Sequence, residues 1–112
     1  MAQLLEADLN ELLAAAIEFG ANWRRPLSDL AAEHFPDYSQ SDVSRLAAVV
    51  EESRSAIEAY VAAAHVRIDG RWTRDQTRQA ATWIAEYFPW MSSENRRRAL
   101  RQGQYYAWHD HG

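Results

Sequence analysis

From Ser39 to Val66 the chain holds one apolar face at helical spacing for about seven turns. Val43, Leu46, Val50, Ile57, Tyr60, Val61 and Ala64 all fall on it. A run of that length suits a helix of about 25 residues and nearly 40 Å, too long for any strand. Ser39 and Asp42 have the spacing of a capping box at its start, with an acid in place of the usual Glu or Gln. A long helix with a single apolar face needs other elements to cover it, so the rest of the chain must supply them.

The flanking segments also read as helices. The first runs from about Ala2 to Phe19, with Leu5, Leu9, Leu12 and Ala16 as its stripe, widened by Leu13 and Ile17. Gly20 suits the position just past its end. A second, short helix fits Pro26 to Phe35, begun by one proline and stopped by Pro36. Thr73 and Gln76 make a capping box for a fourth helix, about Arg74 to Phe88, with Ala80, Trp83, Ile84, Tyr87 and Phe88 inward and Pro89 ending it. Ser92 or Ser93 caps a fifth, running to about Trp108. Asp69-Gly70 is a turn signal that allows a short hairpin over residues 66–73. The expected fold is all-α: a compact single-domain bundle of four to five helices, residues 1–112, with one long central helix. At 112 residues and 47% hydrophobic composition, the chain has the length and apolar content for one folded domain.

Several function classes are disfavoured. No apolar run approaches the roughly 20 residues of a membrane span, and the acidic N-terminus MAQLLEADLNEL is unlike a secretory signal. With no cysteine there is neither a disulfide framework nor a thiolate nucleophile, which fits a cytoplasmic protein. All twelve cationic residues are arginine, so no lysine is present for Schiff-base or general-base work. The four glycines, at 20, 70, 103 and 112, form no phosphate-binding loop, and no nucleophile elbow is present. His34 and His65 lie near helix C-termini, where the helix dipole favours an imidazolium. His109 and His111 are two apart, do not share a helix face, and lack further ligands for a metal. The expectation is a protein with no catalytic activity, no cofactor and no metal.

The net charge of −4 hides an asymmetry. Residues 1–66 carry eleven acids against four arginines, −7; residues 67–112 carry five acids against eight arginines, +3. The basic part also holds eight of the thirteen aromatic residues. On the fifth helix, Ala99, Gly103 and Ala107 form a ridge of small residues suited to close approach by a neighbouring helix. Glu94, Arg98, Arg101, Tyr105 and Trp108 cluster on another face. That strip is either core, with arginine stems along its rim, or a set of interface anchors.

Taking it as an interface gives the primary candidate site, Arg98, Arg101, Tyr105 and Trp108, for binding another protein or a second copy in a homodimer. A second candidate surface is acidic: Glu6, Glu11, Glu18, Glu33 and Asp37 would steer a basic partner if they converge. Small acidic proteins that inhibit or confer immunity to nucleases work by this physics, an analogy of charge and size only; an adaptor role fits the same residues. The alternative is a single-stranded nucleic-acid-binding module. Arg71, Arg74, Arg78, Arg96, Arg97, Arg98 and Arg101 would meet phosphates, and Trp72, Trp90, Tyr105 or Trp108 would stack on bases. A pI near 5.5 argues against that alternative.

Overall fold

The structure, a computed structural model, describes residues 4–18 and 25–111, the last by its backbone. Five α-helices and no strand occur among the described residues: α1 (Glu6–Ala16), α2 (Leu27–His34), α3 (Gln40–Arg67), α4 (Arg74–Tyr87) and α5 (Ser93–His111). The all-α expectation therefore holds, with α3 longest at 28 residues, about 42 Å at 1.5 Å per residue. None of the helices is long and apolar enough to cross a membrane.

Contacts gather into two units, Met1–Ser53 and Arg54–Gly112, with the boundary inside α3. The charge asymmetry follows this boundary. The first unit has ten acids and three arginines, −7; the second has six acids and nine arginines, +3.

In the first unit α1 packs on α2. Leu9, Leu12, Leu13, Ala16 and Ile17 of the α1 stripe are buried, as are Leu27, Leu30 and Ala31 of α2 and Val43, Leu46 and Val50 of α3. Leu5 departs from the expected stripe and is 58% exposed. It occupies the N-cap of α1, one turn before the packed part of the helix, where no element among the described residues covers it. The expected helix ends at Ala2 and Phe19, and the cap at Gly20, lie outside the described residues. Ser39 caps α3 as its spacing predicts, its Oγ accepting the Asp42 backbone N–H at 3.1 Å.

In the second unit α4 packs on α5. Thr73 caps α4 by accepting the Gln76 N–H at 3.1 Å. Ser92 is the cap of α5, accepting the Asn95 N–H at 3.2 Å. Ile57, Val61, Ala64, Ala80, Ile84, Met91, Leu100 and Ala107 are buried here.

Asp69-Gly70 is a helix end and not a hairpin. The Gly70 N–H donates to the His65 carbonyl at 2.8 Å, and the Asp69 N–H to that of Val66 at 3.2 Å. This pair of bonds is the Schellman closure of α3. Both residues have positive φ, 59° and 71°. An Asp-Gly pair satisfies the same dihedral demand in either setting. The uncapped carbonyls at the end of a long helix select the closure.

Candidate functional site

Helix α5 separates its two faces as its sequence predicts. Ala99, Gly103 and Ala107 are buried. The ridge lets α3 in closely: a Cβ at position 103 would lie 3.3 Å from Val61 Cβ and Cγ2. On the far side Tyr105 is 51% exposed and Trp108 52%. Arg101 and Glu94 are exposed and Arg98 is half-buried. Neither the Arg98 nor the Arg101 guanidinium enters an ion pair or hydrogen bond among the described residues. The structure thus brings the four primary candidates onto one face, with both rings outside the core.

Trp108 is only half free because its inner half is seated. It meets His65 edge-on, with ring centroids 5.0 Å apart and planes at 78°. His65 lies in the last turn of α3, buried to 2% exposure. The indole Nε1–H of Trp72 donates to His65 Nδ1 at 3.0 Å, so that nitrogen offers a lone pair and carries no proton. The carbonyl of His65 is taken up by the Schellman closure, and its ring contacts the indoles of Trp72 and Trp108. A Cβ on Gly70 would lie 3.2 Å from His65 Cε1 and 3.3 Å from Trp108 Cη2. The glycine therefore makes the floor on which both rings rest. Sequence reading missed this seat. Its members come from a helix end, a turn and a distant helix, and no single periodicity links them.

A second aromatic group lies on α3 and α4. Tyr60 stacks on Trp83 at 4.1 Å and 10°, and Trp83 on Tyr87 at 4.9 Å and 29°. Tyr87, expected inward, is 65% exposed. It is the last residue of α4, so its ring has no further turn to pack beneath and leans on the residue four before it.

Two of the acidic candidates meet partners on their own chain. Glu33 takes Arg25 at 2.6 Å, and this hydrogen bond holds its carboxyl below the usual range. Glu11 meets His34 Nδ1 at 3.0 Å. Glu6, Glu18 and Asp37 are exposed. What does gather is a groove of about 290 Å³ in the first unit. Leu4, Leu5 and Leu46 give it an apolar lining; Asp8, Asp37 and Asp42 line it with Tyr38 and Ser39. The Tyr38 hydroxyl donates to Asp8 Oδ2 at 2.6 Å.

That hydrogen bond, with burial and the fields of Asp8, Glu11 and Asp42, raises the Tyr38 phenol above its ordinary value of about 10. Raised in the folded state, this group adds stability that is complete below the ordinary value. The contribution falls as pH rises through the folded one. In a 295 nm titration, the tyrosinate signal lost in Tyr38→Phe should be the part that lags in the native chain. Asp8→Asn should return it toward the ordinary value; an unchanged titration in that variant would refute the assignment.

Of the nucleic-acid candidates, Arg71, Arg74, Arg78 and Arg97 are exposed. Arg96 is committed to the start of α5, donating to the Met91 carbonyl at 2.7 Å and to Ser93 Oγ at 3.1 Å. Trp72 is half-buried and bonded to His65, and Trp90 is also half-buried. His109 faces Asp110 at 3.6 Å, both well exposed; the side chain of His111 lies outside the described residues. Comparison with known protein families, with curated proteins and with solved structures finds no match for this chain.

Proposed function

We propose that this chain is a protein-binding module, with no catalytic step of its own, that docks a partner on the outer face of α5. One observation carries the reading: Tyr105 and Trp108 stand half exposed on a helix whose opposite face is closed against α3. A helix needs one buried face to fold, and here the small-residue ridge provides it. The second aromatic face is therefore surplus to folding. Covering the exposed half of each ring removes about 100 Å². At about 25 cal/mol per Å², that is roughly 2–3 kcal/mol per ring before the cost of association. Arg98 and Arg101, with guanidiniums unspent among the described residues, add forked donors at the edge of the patch.

The seating of Trp108 supports the same reading. A ring fixed by His65 and the Gly70 turn loses little freedom when a partner covers it. The acidic balance of the whole chain favours a protein partner over nucleic acid.

The test leaves Trp108 in place, because its inner half packs on His65. Arg101→Ala with Tyr105→Ala should keep the native melting temperature within a few degrees, since exposed substitutions cost about 0.5 kcal/mol or less. In affinity capture from native lysate, the parent chain should retain a stoichiometric protein that this variant loses. Equal retention by both sinks the proposal. Retention of single-stranded nucleic acid, released steeply by salt, would transfer the face to the alternative class.

A further inference from the structure

We propose that the groove of the first unit is a binding site for one arginine side chain of a partner protein. The groove volume, about 290 Å³, is at the bottom of the range of roughly 300–1,000 Å³ typical of small-molecule pockets. A single long side chain fits it better than a cofactor does.

The lining names the chemistry of that side chain. Leu5 is 58% exposed, and with Leu4, beside the buried Leu46, it offers aliphatic surface to a methylene stem. The charged groups among the described lining residues are all carboxylates: Asp8, Asp37 and Asp42. Tyr38 occupies Asp8 through its hydroxyl, which fixes the phenol as a wall. The Asp42 carboxylate has a long 3.5 Å contact to Arg45, and Asp37 is exposed. Asp37 thus enters no ion pair among the described residues, and Asp42 shares its charge with Arg45, beside the apolar lining of the groove. The unit around them carries −7, which draws in a cationic segment.

An aliphatic stem with a cationic tip describes arginine and lysine. Arginine is favoured because its planar fork can serve two carboxylates at once and its guanidinium is the less strongly hydrated cation.

The experiment titrates acetyl-arginine methylamide into the full-length chain, followed by amide chemical shifts. The neutral isostere acetyl-citrulline methylamide and the lysine analogue serve as comparisons. The arginine probe should shift Leu5, Asp37, Tyr38 and Leu46 saturably. It should bind about tenfold tighter than the citrulline probe, the range of a charge-assisted hydrogen bond. Asp37→Asn should weaken it several-fold while the melting temperature stays put, and Asp42→Asn should do the same. Citrulline binding within twofold of arginine overturns the proposal, as do shifts that map elsewhere. Tighter binding of the lysine probe overturns the guanidinium assignment. Concentration-dependent dimerisation that Asp37→Asn abolishes would overturn the partner protein as occupant, in favour of a second copy.

Discussion

Gly103→Val is expected to destabilise the Arg54–Gly112 unit by about 2–3 kcal/mol, the upper part of the range for overpacking a tight contact. The ridge of α5 already touches α3: even a Cβ at position 103 would lie 3.3 Å from Val61 Cβ and Cγ2 and 3.5 Å from Cγ1. Val61 is fully buried, and a β-branched side chain in a helix has essentially one rotamer. It cannot swing aside, so the backbones must separate.

Gly103→Ala separates the two contributions. Helix propensity alone would favour alanine by about 1 kcal/mol, and the close contact opposes it. The substitution should therefore be near neutral or mildly destabilising in the parent chain. In a Val61→Ala background, where the opposing methyl groups are gone, the same change should become favourable. Urea unfolding followed by tryptophan fluorescence reads this unit well, since it holds four of the five tryptophans. An unchanged midpoint for Gly103→Val would show that the ridge does not seat α5.

The elements were legible because each rests on local chemistry. Apolar periodicity marks α3, side-chain caps at Ser39, Thr73 and Ser92 mark helix starts, and prolines mark the ends of α2 and α4. The two faces of α5 were legible for the same reason, because a ridge of small residues four apart has one geometric use. Three features were not legible, and each depends on where an element stops. Leu5 and Tyr87 continue an apolar phase past the point where a neighbour can cover it, so both are exposed. The Asp69-Gly70 signal fixed a left-handed backbone but not its use, which the carbonyls of α3 decided.

The partners of two acidic residues were not legible either. Glu11 and Glu33 meet His34 and Arg25, partners that a single helix wheel cannot place. The groove carboxylates gathered through the Phe35–Ser39 turn, whose conformation has no periodic signature.

Gly70→Val is expected to cost about 2–4 kcal/mol and to disturb the α5 site as well as the fold. Two effects add. At φ 71° a side chain pays roughly 1–2 kcal/mol for the left-handed conformation, and β-branching makes this worse. The new Cβ would also press on His65 Cε1 at 3.2 Å and on Trp108 Cη2 at 3.3 Å.

Asp69→Gly acts on the same turn without the clash. Asp69 has φ 59° at the helix position where glycine is preferred, so this change should stabilise, by up to about 1 kcal/mol. Opposite signs follow from positive φ at both residues; a cost at position 70 beyond the roughly 1–2 kcal/mol of the left-handed conformation would tie the excess to the seat of Trp108. The two effects also differ in reach. If the seat orients Trp108 for docking, Gly70→Val should weaken partner capture in the fraction that remains folded, and Asp69→Gly should leave capture intact. Full capture by folded Gly70→Val protein would mean that the ring docks without needing its seat, and that the His65–Trp72 contact serves only to close α3.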